Sequence, residues 1–141
     1  MMKQSSRKDF TMIEMVVVVL LIALLAAIAT PMYFSYLKDA RVTAAQTQID
    51  LLDQAVMDYS VRMGSIPPPE SGLILLVQNP NNDSRWRPFL RGNTVPKDPW
   101  GNDYVYRVLG NGDFEILSYG EDGREGGDGY AADLSSKGDR K

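Results

Sequence analysis

The chain has 141 residues, 44% of them hydrophobic, and a formal net charge of −3, which leaves room for one modest core and argues against nucleic acid as the main partner. It contains no cysteine and no histidine, so it has no disulfide framework, no thiolate nucleophile, and neither the usual general base nor the usual zinc ligand. Any catalysis would have to use carboxylate pairs alone, and the expectation is that this is not an enzyme.

Residues 1–9 carry Lys3, Arg7 and Lys8 and precede a segment that is apolar from Met12 to Ala29 except for Glu14. At about 1.5 Å per residue, a helix from Phe10 to Leu37 spans a hydrocarbon core of roughly 30 Å. The basic residues before it favour a cytoplasmic N-terminus with the remainder outside. A cleaved secretory signal is the competing reading, with small residues available in "AAIATP". The helical pattern does not stop there, however: Ile49, Leu52, Val56, Tyr59 and Met63 recur at spacings of three and four, one face of an amphipathic helix. One helix from about Phe10 to Met63 is expected, kinked or loosened at Pro31 and ended by Gly64 and Pro67–Pro69. Glu14 has two readings on spacing alone: a carboxylate near enough to a helix end to reach water, or one that pairs with a cation inside an assembly.

The segment "FTMIEMVVVVLLIALLAAIATP" resembles the N-terminus of type IV pilins and type II secretion pseudopilins. Phe10, Glu14, the apolar run and Pro31 all stand at that family's spacing. The resemblance implies that a prepilin peptidase cuts before Phe10 and methylates the new amine. It also implies that Glu14 attracts the N-terminal amine of a neighbouring subunit during filament assembly. One departure bears on this: the family nearly always has glycine before the cut, and Asp9 places a charged side chain there, which opposes normal processing.

After the helix, Ser71 is positioned to cap a short helix through Gln78, which "NPNND" then breaks. Asp98-Pro99-Trp100-Gly101 reads as a turn. "DYVYRV" and "DFEILS" are strand-like runs separated by "LGNG", a hairpin signal. Tyr104, Tyr106 and Val108 fall on one face of the first; Phe114, Ile116 and Ser118 share a face of the second, with Glu115 and Leu117 on the other. The expected fold is α+β: a long helix whose amphipathic half packs on a small antiparallel sheet, with Trp86, Phe89 and Trp100 filling the junction. The order "SGLILLVQNP", "VPKDPWGNDYVYR" and "DFEILSYGEDGREGG" resembles the G-type (major) pseudopilin family of type II secretion, from Phe10 to about Leu134.

"SYGEDGREGGDGYAADL" sets Glu121, Asp122, Glu125, Asp128 and Asp133 among five glycines, a composition of hard oxygen donors that suits calcium better than zinc. A solvated acidic loop is the plainer reading of composition alone. The resemblance implies a calcium site here, with Asp122 and Asp133 as ligands, Asp128 as a further candidate, and backbone carbonyls near Leu117 and Arg124 completing the shell. Ala131 and Ala132 stand where the family commonly offers a further acid. The domain organisation read from the sequence is a leader over 1–9, a transmembrane and assembly helix over 10–37, its amphipathic half over 38–64, a globular domain over 65–134 and a disordered tail over 135–141.

The function implied by the resemblance is a structural subunit of a periplasmic pseudopilus. Anchored once in the bacterial inner membrane, with its C-terminal domain in the periplasm, it polymerises through its N-terminal helix to drive export of folded proteins. The implied partners are further copies of the chain, minor pseudopilins, an inner-membrane assembly platform and a prepilin peptidase. A type IV pilin of a surface filament is the alternative, and a membrane-anchored hydrolase is the rival from another class.

Overall fold

The computed structural model describes residues 10–138. The chain forms two units, one ending at Leu37 and one beginning at Lys38. A single helix, α1 (Met12–Met63), contributes to both.

In the first unit α1 is apolar on every side. Its large side chains from Met12 to Ile28 are all exposed, and its most apolar 18-residue window has a mean hydropathy of 2.9 with no residue buried. Such a surface requires lipid or other helices around it. The helix starts two residues later than the sequence suggests, because Thr11 caps it: the Glu14 N–H donates to Thr11 Oγ1 at 3.2 Å. Helical backbone continues through Pro31. The proline ring deprives the Ala27 carbonyl of its donor, while the Thr30 hydroxyl donates back to the Ala26 carbonyl at 2.7 Å.

In the second unit α1 buries one stripe, formed by Ala45, Ile49, Leu52, Ala55, Val56 and Tyr59. The two alanines were not singled out by the hydrophobic pattern, yet Ala45 is completely buried; a side chain that small allows the facing elements to approach closely. Met63 packs at the edge of this core, and the Gly64 N–H closes the helix on the Ser60 carbonyl at 2.8 Å.

Three antiparallel strands complete the unit: β1 (Val105–Gly110), β2 (Asp113–Ser118) and β3 (Leu134–Ser135), in the order β1-β2-β3. The β1–β2 turn is Asn111-Gly112, both with positive φ (51° and 78°), the geometry that matches the twist of a two-residue hairpin. Tyr106 pairs in register with Ile116 and stacks its ring against Phe114 at 5.9 Å. Phe114 and Ile116 enter the core with Tyr104, Leu73, Leu75, Leu76 and Leu134. Trp86, Phe89 and Trp100 pack against it as expected, Trp86 donating its indole N–H to the Leu75 carbonyl at 2.7 Å. β2 is buried on both faces, since Glu115 and Leu117 are each only 1% exposed. Glu115 accepts a hydrogen bond from the Ser135 hydroxyl at 2.7 Å.

Two local expectations differ. The segment after Ser71 is a 3-10 helix over Gly72–Leu76 rather than a helix through Gln78, and the Ser71 side chain makes no capping bond. Ser135, assigned by the sequence to a disordered tail, is buried in β3, and Lys137 pairs with Asp113 at 2.7 Å. A two-residue strand has no alternation to read; it exists only because β2 offers it an edge. Phe114→Ala removes the largest fully buried side chain, and the expected loss is about 3–5 kcal/mol of unfolding free energy, to be checked by denaturant unfolding of the full chain in detergent.

Candidate functional site

Two regions carry functional chemistry. At the N-terminal end, Phe10 and Glu14 are exposed, and among the described residues Glu14 has no ion pair. Thr11 and Glu14 stand in the T-x-x-E spacing of a helix start, a signal present in the sequence that was not read there. Glu14 therefore occupies the third helical position, where a negative charge is favoured by the helix dipole. Asp9, expected to oppose processing, lies outside the described residues.

The second region is the loop from Tyr119 to Asp133, which closes on itself through backbone contacts. The Glu121 N–H donates to the Tyr130 carbonyl at 3.1 Å, and the Gly126 N–H donates to Asp133 Oδ2 at 3.0 Å. At Gly127 (φ +95°) a Cβ would lie 2.4 Å from the Ala131 carbonyl oxygen, so only glycine fits. A Cβ on Gly120 would lie 2.9 Å from the Ala132 carbonyl oxygen and 3.0 Å from that of Tyr130. The loop thus gathers carbonyl oxygens along its inner edge.

The five acids of the loop divide by role. Glu121 pairs with Lys38 at 3.1 Å, and Glu125 pairs with Arg107 at 3.0 Å; both fasten the loop. Tyr130 adds a hydrogen bond to Asp39 at 2.8 Å, with Lys38 5.2 Å from the centre of its ring. Asp122 is exposed and accepts from the Arg124 N–H at 3.1 Å, and Asp128 is exposed ahead of a 3-10 turn (Gly129–Ala131) without capping it. Asp133 is different: its Oδ1 is buried and has no hydrogen-bond partner. Asp122, Asp128 and Asp133 are not brought together, and among the described residues no group of three or more metal-ligating side chains converges. Leu117 lies in β2, paired with Val105 and Ser135, and Arg124 is exposed in the loop. The donors available, the buried carboxylate oxygen of Asp133 and the backbone carbonyls of the loop, are hard oxygens of the kind calcium accepts and not the nitrogen or sulfur ligands zinc prefers.

Sequence reasoning missed the residue that anchors this loop to the sheet. Asp98 is 4% exposed. Its Oδ1 accepts the N–H groups of Trp100 at 3.1 Å and Asn102 at 2.8 Å, while its Oδ2 accepts the Ser118 hydroxyl at 2.7 Å. Ser118 Oγ in turn accepts the Gly120 N–H at 3.3 Å, and Asn102 Nδ2 donates to the Gly120 carbonyl at 3.4 Å. The aspartate before Pro99 is readable as a turn former; that its second oxygen reaches β2 is not.

Residues 32–137 match the family described as Type II secretion system (T2SS), protein G. The chain is similar to type II secretion system core protein G of Pseudomonas aeruginosa, 34% identical over 139 residues that cover 96% of this chain and 98% of that protein. It is likewise similar to core protein G of Vibrio cholerae, 34% identical over 140 residues, covering 96% and 95%. The relative in Aeromonas hydrophila is 31% identical over 131 residues, covering 90% and 92%. The fold is similar to the crystal structure of the major pseudopilin from the type 2 secretion system of enterohaemorrhagic Escherichia coli, with a TM-score of 0.57 and 24% identity over 73% of this chain and 91% of that one.

Replacing Asp98 by alanine strands three donors, two of them backbone, and the expected cost is about 2–4 kcal/mol. Ser118→Ala, which removes one of those donors, is expected to cost about 1 kcal/mol. Urea unfolding of the two variants beside the parent chain measures both.

Proposed function

The chain belongs to the protein G family of the type II secretion system, and on that premise we propose that it is the repeating structural subunit of a pseudopilus. The observation that carries the reading is the exposed, strongly apolar first part of α1, which can lie in a bilayer as a monomer and against neighbouring helices in a filament. Lys3, Arg7 and Lys8 favour a cytoplasmic N-terminus, which puts the unit from Lys38 onward in the periplasm. A carboxylate entering an apolar helix bundle is costly unless a cation meets it. The N-terminal amine of an adjacent subunit, freed by cleavage before Phe10, would meet Glu14 and set the register between the two. The work of the chain is therefore positional, and family membership points to no catalytic role.

The acidic glycine loop is proposed to hold calcium. Asp133 would be the principal ligand through its unpartnered oxygen, with backbone carbonyls of the loop completing the shell; Asp122, Asp128, Leu117 and Arg124 are the remaining candidates from the sequence. A bound divalent cation would supply the positive charge that the buried Asp133 oxygen lacks. The chain's own contribution is to keep the loop closed, through Gly120 and Gly127 on its inner edge and the Lys38 and Arg107 ion pairs at its margins.

Two measurements test these readings. Glu14→Ala is expected to leave the chain in the membrane while abolishing most of the filament recovered by shearing; wild-type yield would exclude Glu14 from assembly. N-terminal mass in the same preparation decides cleavage, with a methylated chain starting at Phe10 showing that Asp9 is tolerated. For the loop, calcium at a hundredfold excess over Kd stabilises by about 2.7 kcal/mol. The melting temperature is expected to rise with calcium, fall with chelator, and become insensitive to both in Asp133→Asn. An unchanged melting temperature on chelation would overturn the calcium assignment.

A further inference from the structure

The apolar run of α1 carries no charge between Met15 and Leu37, yet its character changes before it ends. Tyr33, Phe34 and Tyr36 are 60%, 59% and 70% exposed, and none of them joins the core of the second unit. Successive residues turn by about 100° around a helix, so Tyr33 and Tyr36 lie about 60° apart and Phe34 about 100° round from Tyr33, an arc of roughly 160°. Tyr33 and Phe34 touch edge to face, with ring centres 6.1 Å apart. No tyrosine or tryptophan occurs between Phe10 and Ala29.

The distance from these rings to Glu14 decides what they fit. Over the residues from Glu14 to Tyr33 the helix rises about 28 Å, close to the roughly 30 Å of a bilayer's hydrocarbon core. Tyrosine sits preferentially at the membrane–water boundary, its ring among acyl chains and its hydroxyl among headgroups. The geometry points to Tyr33, Phe34 and Tyr36 as an interfacial collar that binds the outer headgroup layer of the bilayer and fixes the depth of α1, so that Glu14 stands at the opposite boundary rather than inside the hydrocarbon. The subunit then waits in the membrane with its carboxylate hydrated, at little cost. Desolvation of Glu14 begins only when the chain is drawn outward or packed by neighbours. This inference rests on the membrane-anchored reading above and adds the depth and the residues that set it.

The absence of cysteine from the sequence makes a direct test clean. Single cysteines at Val16, Ile22, Ala26, Met32 and Leu37 of the full chain are spin-labelled. Each is measured in nanodiscs of phosphatidylethanolamine and phosphatidylglycerol holding one chain per disc. The ratio of oxygen to nickel-chelate accessibility is expected to peak at Ile22 and Ala26 and to fall to headgroup values between Met32 and Leu37. Tyr33→Leu/Phe34→Leu/Tyr36→Leu should slide the peak toward the C-terminus by about one helical turn, ~5 Å, whereas Tyr33→Trp/Tyr36→Trp should leave it in place. Midplane values at Met32 or Leu37, an unmoved peak in the leucine variant, or low access to both quenchers at Met32 (a neighbouring chain covering the collar) would each overturn the collar while leaving membrane anchoring intact. Water-like access at Ile22 as well would overturn the anchoring reading together with it.

Discussion

The second unit depends on one buried stripe of α1. Three short strands, one of them only two residues long, cannot persist as an isolated sheet, because two or three strands need an apolar surface to cover one face. Ala45, Ile49, Leu52, Val56 and Tyr59 supply that surface, and Phe114 and Ile116 of the central strand are the residues that meet it. The alternation of large and small side chains along the stripe lets the elements close to packing distance. The 3-10 turn and the Trp86–Phe89 pair, whose rings meet edge to face at 6.2 Å, then seal its rim.

Because the core side of β2 is committed to the helix, its other side must be covered by something else, and a buried glutamate sits there. Arg107 stands opposite Glu115 in the register and reaches out to Tyr119 and Glu125, while Ser135 bonds Glu115 from the third strand. The acidic loop is thus tied to the sheet by polar contacts rather than by a second hydrophobic layer. Surface ion pairs such as Lys38–Glu121 contribute only ~0–1 kcal/mol each. The buried Asp98 is the stronger tie, because its carboxylate is shielded from water and accepts three hydrogen bonds, the one from Ser118 fully buried.

The remainder of α1 obeys a different solvent. Its first part buries nothing inside the chain, so its stability depends on what surrounds it: lipid before assembly, other helices after. The same residues must therefore be acceptable to both. That explains a surface of small and branched aliphatic side chains with a single carboxylate near one end and rings near the other. A carboxylate such as Glu14 is tolerable at a membrane boundary and expensive within an apolar bundle.

Much of this was legible in the sequence because it is periodic or local. The three-and-four spacing over Ile49–Tyr59, the unbroken apolar run, the hairpin around Asn111-Gly112 and the family resemblance all rest on residues near one another in the chain. What was not legible involves partners far apart: β3, which exists only beside β2; the burial of Ala45; and the reach of Asp98 to Ser118. That the Asp133 oxygen is buried without a donor belongs with these. Composition determined that the loop is rich in hard oxygen donors, since that needs only a count of carboxylates and glycines. Which oxygen is left without a donor depends on how glycines at Gly120 and Gly127 fold the backbone against residues 130–132, and only the tertiary structure decides that.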